Sequence, residues 1–292
     1  MVLGTAQLGM VYGVANRMGR PDAVLSSEIV QAAWEGGIRE FDTAQAYGDS
    51  EAVLGKSLRK FGIEHEAKII SKLHPEIDHT NQMAVVAAVQ NSLERLGIPQ
   101  LSCLMIHREE HLRCLDQGLQ EILLNLVQES MTGCVGASVY APHRALEVIK
   151  SSAFQAVQVP ANVMDRGMER AGVFEEAKKF GKKIYIRSVF LQGLLLMPLE
   201  ELSEVMAFAR PALELFVELA RECGLTTQQA AIGYVRSRHD GARAVIGAES
   251  PEQVRANCET WAADVPEALL IKADELFGEV EERVINPRLW PS

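Results

Sequence analysis

Short apolar runs alternate with longer amphipathic segments along the chain. The short runs are rich in Val and Ile and have the length of buried strands. They predict eight strands: Val2–Thr5, Glu40–Thr43, Lys68–Ser71, Ser102–Ile106, Cys134–Ser138, Ala156–Val159, Lys183–Arg187 and Arg243–Gly247.

The longer segments repeat their apolar residues at the spacing of one helix face, and several end at a glycine. Because proline cannot continue a helix, we expect a break at Pro211. The predicted helices are Ser26–Glu35, Met83–Leu96, Glu175–Phe180, Leu199–Cys223, Thr226–Arg238, Pro251–Ala262 and Glu267–Val284.

This alternation determines the expected fold class, which is α/β. Strands that are apolar throughout, separated by amphipathic helices, indicate a parallel sheet covered on both faces. Eight such units predict a closed (β/α)8 TIM barrel that forms one domain over residues 1–292. An open, doubly wound sheet is the alternative architecture.

Polar side chains follow three of the predicted strands. Asp42 ends one strand and Tyr47 lies in the loop after it, while Lys72 and His107 follow two later strands. Each of them alone has a purely structural explanation, but a parallel barrel brings all of them to one face. A lysine beside a phenol favours tyrosinate, an aspartate keeps that lysine charged, and a neutral histidine orients a carbonyl oxygen.

The sequence here resembles the aldo-keto reductase family. The resemblance rests on "FDTAQAYG" (residues 41–48), on "ISK" (residues 70–72) and on His107 at a strand end. It implies an NAD(P)(H)-dependent enzyme that reduces an aldehyde or ketone, or oxidises the alcohol. Tyr47 would be the general acid/base, Asp42 and Lys72 its tuning pair, and His107 the group that orients the carbonyl.

Further segments resemble the parts of that family that bind the cofactor. They are "LGTAQLG", "VGASVY", "VQVPAN", "IRSVFLQGLL" and "VIGAESPEQVRANCE". The resemblance implies these cofactor-binding residues: Gly4, Thr5, Ser138, Gln158, Arg187, Ser188, Gln192, Gly193, Gly247, Ala248, Glu249, Gln253 and Asn257.

Several positions depart from the family pattern. Val139 replaces an asparagine, and Arg187 replaces an aromatic residue that stacks on nicotinamide; a guanidinium could stack there or reach the diphosphate. Gly247 and Gln253 stand where many relatives have cations for the 2′-phosphate, and Glu249 lies between them. We expect NADP(H) to be favoured only slightly over NAD(H), with Arg255 the nearest alternative cation.

The loops after the strands choose the substrate in such a barrel. Gln7, Tyr12 and His107 are the candidate substrate-binding residues, and Trp290 in the segment 286–292 is a further lining candidate. A small-molecule carbonyl or alcohol is the expected partner. The alternative function is a catalytically slow nicotinamide-binding redox sensor or partner-binding subunit of the same fold.

A zinc site is a second alternative. His107 and His111 fit H-x-x-E-H, which needs both histidines on one helix, and a strand end at His107 opposes this interpretation. The segment "LGKS" (residues 54–57) resembles the end of a P-loop but lacks the earlier glycine. We therefore expect no metal.

Composition narrows the class of protein. A net charge of −10 argues against nucleic-acid binding, and no stretch is apolar enough for a membrane span. Five cysteines without a C-x-x-C pair favour a reducing compartment. The first residues lack the pattern of a signal peptide, so the expected location is cytoplasmic. The sequence leaves the oligomeric state open.

Overall fold

Eight parallel strands pair edge to edge, and the last strand pairs with the first to close a barrel. The structure is a computed structural model, and it describes residues 1–291. The predicted (β/α)8 fold is confirmed. Each observed strand either has the predicted bounds or differs from them by one residue at one end only. The strands are β1 (Val2–Gly4), β2 (Glu40–Asp42), β3 (Lys68–Lys72), β4 (Cys103–Ile106), β5 (Val135–Ser138), β6 (Ala156–Pro160), β7 (Lys183–Arg187) and β8 (Arg243–Gly247).

Helices connect the strands and surround the barrel. Their starts are set by local chemistry: the Asp22 carboxylate accepts two backbone N–H groups, and Thr226 forms a capping box with Gln229. The helices are α1 (Ala6–Gly9), α2 (Ala23–Glu35), α3 (Ser50–Phe61), α4 (Gln82–Leu96), α5 (Leu119–Gln128), α6 (Pro142–Lys150), α7 (Gly167–Arg170), α8 (Val173–Lys179), α9 (Arg210–Glu222), α10 (Thr227–Arg238), α11 (Pro251–Ala262), α12 (Glu267–Leu276) and α13 (Glu282–Ile285).

Two predicted helices were wrong in part. The break expected at Pro211 is present, since α9 begins at Arg210 and Pro211 lies in its first turn, where the missing N–H removes no helical hydrogen bond. What differs is the segment before the break, which is not an α-helix. The residues before it form short 3₁₀ segments over Leu199–Glu201 and Glu204–Ala209. The predicted helix Glu267–Val284 is divided into α12 and α13.

The apolar core has two compartments. The larger one lies between the strands and the surrounding helices, with Phe41 and Leu104 fully buried in it. The smaller one fills the amino-terminal half of the barrel interior and includes Ile70, Met105 and Tyr185. Because this half is filled by apolar side chains, the opposite, carboxyl-terminal face is left to polar groups.

Ser292, at the end of the predicted loop 286–292, lies outside the described residues. Within residues 1–291, none of the helices combines the length and the apolar character that crossing a bilayer takes.

Candidate active site

A tightly packed loop after β2 carries Tyr47. The Tyr47 N–H donates to the Ala44 carbonyl at 3.0 Å, and the Thr43 hydroxyl donates to Ser50 Oγ at 3.0 Å. A side chain at Gly9 of α1 would place its Cβ 1.8 Å from the Tyr47 carbonyl oxygen. The loop therefore depends on the absence of a side chain at Gly9.

Asp42 holds two neighbours inside the barrel. Lys72 Nζ donates to Asp42 Oδ1 at 2.6 Å, and Gln158 Nε2 donates to Asp42 Oδ2 at 2.8 Å. The same ammonium donates to the Thr43 carbonyl at 3.0 Å and lies 3.5 Å from Tyr47 Oη. Three of the predicted catalytic residues thus form one buried hydrogen-bonded group.

The protonation of Tyr47 departs from the sequence-based expectation. Burial raises the pKa of the Tyr47 phenol above its ordinary value, and the Asp42 charge raises it further, while Arg187 opposes the shift. Lys72, whose ammonium lies 3.5 Å from the phenol oxygen, is paired with Asp42 at 2.6 Å. The raised pKa keeps Tyr47 protonated at neutral pH.

His107 lies beside the phenol and is uncharged. Its ring centroid is 5.6 Å from that of Tyr47, at an interplanar angle of 83°. Burial, followed by the charges of Lys72 and Arg108, lowers the pKa of His107 to about 3. Its Nδ1 is buried without a hydrogen-bond partner among residues 1–291. The imidazole beside the phenol is thus neutral at ordinary pH.

A cavity of about 710 Å³ runs from this group across the carboxyl-terminal face of the barrel. Its volume is typical of a site for a cofactor or small molecule. Lys72, His107 and Ser138 do not line it directly, although Ser138 ends β5. The predicted residues that do line it are Gly4, Thr5, Gln7, Tyr12, Asp42, Tyr47, Gln158, Arg187, Ser188, Gln192, Gly193, Gly247, Ala248, Glu249, Gln253 and Asn257.

The two predicted substrate residues in the first loop lie in different parts of this cavity. Burial raises the pKa of Tyr12 to about 12, and the second largest contribution to this shift comes from Tyr47. Tyr12 therefore lies near the Tyr47 phenol. The Gln7 amide lies against β8, since a Cβ added to Gly247 would meet Gln7 Nε2 at 2.5 Å.

The glycines and the helix start at the far end of the cavity suit a dinucleotide. Gly4 and Gly247 pair in register on β1 and β8, and both line the cavity. Ser250 caps α11, and its hydroxyl accepts the Gln253 N–H at 3.3 Å. A capped helix start beside a long cavity is an arrangement that accommodates phosphate and ribose groups.

Several residues that line the cavity or lie beside it belong to none of the motifs recognised in the sequence. Arg17 and Glu201 form an ion pair of 2.6 Å, and the Val14 N–H donates to the Gln192 carbonyl at 3.0 Å. Tyr140 is adjacent to β5, and the Arg187 guanidinium stacks on its ring at 3.8 Å. Contacts between loops far apart in the chain have no periodic signal in the sequence.

The structure does not support the zinc-protease pattern. His107 follows β4, whereas His111 belongs to a 3₁₀ segment, Glu109–Gln117, and stacks on His79 at 4.0 Å. Within residues 1–291, no group of three or more metal-binding side chains comes together. "LGKS" lies within α3, and Ser57 is buried.

A family model described as the aldo/keto reductase family matches residues 1–275. The chain belongs to the aldo/keto reductase family. Its architecture is similar to that of solved family structures: AKR11C1 from Bacillus halodurans in its holo form has a TM-score of 0.78 and 22% identity over 98% of this chain and 95% of that one. The glycerol dehydrogenase AKR11B4 from Gluconobacter oxydans has a TM-score of 0.75 and 21% identity over 98% and 92%.

Curated relatives are similar over shorter segments. The aldo-keto reductase YhdN of Bacillus subtilis is 25% identical over 177 residues, which cover 58% of this chain and 52% of the relative. The human aflatoxin B1 aldehyde reductase member 2 is 29% identical over 204 residues, covering 66% and 54%. This chain therefore spans about half the length of these relatives.

Proposed function

We propose that this family member is an NAD(P)(H)-dependent oxidoreductase that reduces an aldehyde or ketone to an alcohol or runs the reverse reaction. The carrying observation is the buried group of Asp42, Lys72 and Tyr47 at one end of a cavity that can accept a dinucleotide. Members of this family are generally carbonyl reductases that use a nicotinamide cofactor.

In this proposal the cofactor-binding residues divide the cavity into three parts. Ser138, Gln158 and Arg187 would hold the nicotinamide, and Ser188, Gln192 and Gly193 would hold the diphosphate. Gly4 and Thr5 would lie beside the nicotinamide, and the adenosine would lie against Gly247, Ala248, Glu249, Gln253 and Asn257. When bound, the reduced nicotinamide would supply the hydride that the carbonyl carbon accepts.

The side chains of this protein supply the proton and the orientation. Tyr47 is protonated at neutral pH and donates its proton to the carbonyl oxygen. The resulting phenolate is stabilised by Lys72, whose Nζ lies 3.5 Å from the phenol oxygen. Asp42 fixes the position of that ammonium, and the neutral imidazole of His107 orients the carbonyl oxygen.

The local charges and the family resemblance point to different coenzymes. The resemblance favours NADP(H), yet Glu249 lines the adenosine end and would repel a 2′-phosphate. Arg255, the nearest predicted cation, does not line the cavity and pairs with Glu252 at 3.3 Å. Calorimetric titration with NADPH and NADH distinguishes the two, and binding of neither would contradict the proposed function.

The second candidate function is a redox sensor or partner-binding subunit with slow turnover. A Schizosaccharomyces pombe protein named a putative voltage-gated potassium channel subunit beta is 30% identical over 118 residues, which cover 34% of each chain. The complete catalytic group favours an enzyme. Tight coenzyme binding without turnover on a panel of aldehydes, ketones and alcohols would favour the sensor.

A further inference from the structure

Two cysteines lie opposite each other at the start of neighbouring strands. Cys103 is the first residue of β4, and Cys134 directly precedes β5. The two strands pair in parallel from Leu104 and Val135 onward, and the Leu104 N–H donates to the Cys134 carbonyl at 3.0 Å. An isolated bridge two residues before the cysteines keeps the same register. The pairing of β4 with β5 therefore places Cys103 directly across from Cys134.

The spacing of the two cysteines suits a disulfide. Neighbouring strands lie about 4.7–4.9 Å apart, and disulfides join Cα atoms that are about 4.4–6.8 Å apart. Both side chains belong to the smaller apolar compartment inside the barrel, and Cys134 Sγ lies 3.3 Å from the carbonyl oxygen of Ser102, the residue before Cys103. A bond across one strand spacing is near the short end of the range, so the backbone must adjust slightly. Gly133, which precedes Cys134 outside the regular strand, allows that adjustment.

The two thiols differ in protonation. The hydrogen bond between them raises the pKa of Cys103 well above its ordinary value and lowers the pKa of Cys134 to about 7. Burial opposes the lowering at Cys134, and the charge of Lys183 adds to it. Because the thiolate is the reactive form of cysteine, Cys134 is the nucleophile of the pair at neutral pH and Cys103 remains a thiol.

Exposure points to the same thiol as the nucleophile. Cys134 is 8% exposed, whereas Cys103 is 1% exposed. Lys183 and Glu40, whose charges act on the Cys134 thiol, begin β7 and β2, and the Lys183 side chain is exposed. The pair therefore lies at the amino-terminal end of the barrel, where a small oxidant meets Cys134 first, and away from the proposed catalytic face.

We propose that Cys103 and Cys134 form a reversible redox pair, which hydrogen peroxide oxidises to a disulfide and a dithiol reduces again. The inference goes beyond the proposed function and does not depend on it, because the two sites lie at opposite ends of the barrel. A disulfide in a protein of a reducing compartment is typically transient and redox-sensing, which agrees with the cysteine content of this chain.

The oxidation takes two steps. The Cys134 thiolate attacks one oxygen of the peroxide, so that the O–O bond breaks, a sulfenic acid forms on Cys134 and hydroxide leaves. The Cys103 thiol then attacks the Cys134 sulfur, the S–S bond forms, and the sulfenic oxygen leaves as water with the Cys103 proton. The two thiols lose two electrons and two protons, and the peroxide becomes two waters. A dithiol reverses the bond by exchange and is itself oxidised to a disulfide.

The test treats the folded, reduced, full-length protein with a small excess of hydrogen peroxide, blocks the remaining thiols with N-ethylmaleimide and maps the peptides by mass spectrometry. Trypsin cuts at Arg108, between Cys103 and Cys114, and a glutamate-specific protease cuts at Glu129, between Cys114 and Cys134. We expect the link between Cys103 and Cys134 to exceed any other link by at least about tenfold and to disappear with dithiothreitol.

Single variants test the order of the steps. Cys103→Ser should accumulate the sulfenic acid on Cys134, which dimedone captures, because the second thiol is missing. Cys134→Ser should leave Cys103 unmodified, since that thiol is buried and protonated. The matched control is Cys223→Ser, which removes a half-exposed cysteine after α9 and should form the disulfide as the wild type does. If a variant does not fold, the peptide map of the wild type still decides.

Three outcomes would overturn the proposal. Cys103 and Cys134 that both remain open to N-ethylmaleimide after peroxide and unfolding would exclude the pair. A link between other cysteines or between two molecules would assign the oxidation to the half-exposed Cys223 and Cys258. A link that forms only in denaturant, while circular dichroism shows that the untreated protein is folded, would exclude the alignment of β4 and β5 as its cause.

Discussion

Asp42 is the residue that holds two of its neighbours at the proposed catalytic site. Each of its oxygens accepts a hydrogen bond from a different strand, one from Lys72 and one from Gln158. Burial is the main cause of the raised pKa of Tyr47, and the negative charge of Asp42 raises it further. A carboxylate in this position therefore holds the geometry of the site and contributes to its protonation.

The first prediction concerns Lys72→Met. The variant leaves the Asp42 carboxylate buried without its cation, which costs about 3–5 kcal/mol of stability. The phenolate formed on Tyr47 also loses the ammonium that stabilises it, so kcat should fall by at least about 100-fold. Urea unfolding and steady-state kinetics check the two effects separately.

The double variant Asp42→Asn/Lys72→Met is the control for this prediction. Removal of both charges should restore most of the lost stability, because no unpaired carboxylate remains. Activity should stay low, since the ammonium is still missing. Recovery of full activity together with stability would mean that Lys72 is only structural.

The second prediction concerns Glu249→Gln. Removal of the carboxylate should strengthen the binding of NADPH relative to NADH by roughly 3- to 10-fold, because only NADPH carries the 2′-phosphate. Titration of the variant with both coenzymes measures the ratio. Glu252→Gln is the matched control: Glu252 lies three residues later, in the first turn of α11, and is exposed and outside the cavity wall. An equal shift for both coenzymes would contradict the role of Glu249.

Single residues were predictable where they form a local pattern. Asp42 ends β2 and Tyr47 follows it by five residues, while Lys72 ends β3 and His107 directly follows the neighbouring β4. The stacking of Arg187 on Tyr140 was not predictable, because it joins two loops through side-chain conformations that the sequence does not specify.

At the scale of elements, the close approach of α1 to the Tyr47 loop gives the third prediction. In Gly9→Ala the new Cβ would lie 1.8 Å from the Tyr47 carbonyl oxygen and 2.4 Å from the Ser50 nitrogen, so the loop must move. We expect kcat to fall at least about tenfold, since displacement of a catalytic group by about 1 Å can cost 100-fold. Steady-state kinetics and thermal unfolding measure the effect.

Gly278→Ala is the control, because the nearest atom to its added Cβ is the Asp274 carbonyl oxygen at 3.7 Å. This variant should have the wild-type kcat. A Gly9→Ala variant with unchanged kcat would show that the loop position is not critical.

Helices were harder to predict than strands. The sequence analysis missed α3, α5 and α6, as well as the short helices α1 and α7. In α3 the signal is weakened by Gly55, a poor helix former, whose Cβ would lie 2.4 Å from the Arg95 carbonyl oxygen. Tertiary packing of α3 against the end of α4 requires a glycine there, and local propensity does not report that requirement.

For the whole molecule, eight repeats of an apolar run and an amphipathic segment were sufficient to predict a closed barrel. The repeat fixes the order and direction of the strands, and hence the face on which polar strand ends meet. The substrate-selecting loops lie outside this repeat, which is why the Arg17–Glu201 pair had no sequence signal.

The fourth prediction is a loss of stability in acid that involves His239. Burial lowers the pKa of His239, whose ring stacks on Phe174, to about 4. The unfolded chain binds a proton near pH ~6.5 and the folded protein does not, so stability is lost as the pH falls from about 6.5 towards 4. This one group should cost about 1.4 kcal/mol per pH unit within that window.

Urea unfolding at pH 7 and pH 5 measures this contribution. Between these values His239→Phe should lose about 2 kcal/mol less than the wild type. The exposed His143 provides the control, and His143→Gln should keep the wild-type dependence. Identical pH dependence of His239→Phe and the wild type would exclude His239 as a source of the acid sensitivity.

The central claim is that Tyr47 donates the proton in a carbonyl reduction on the carboxyl-terminal face of the barrel. The most direct test mixes preformed complexes of wild type and Tyr47→Phe with an aldehyde and follows the oxidation of the bound coenzyme in a single turnover. We predict rapid oxidation in the wild type and a loss of at least about 1,000-fold in the variant, with unchanged coenzyme affinity. A variant that binds coenzyme and keeps most of the wild-type rate would contradict the claim.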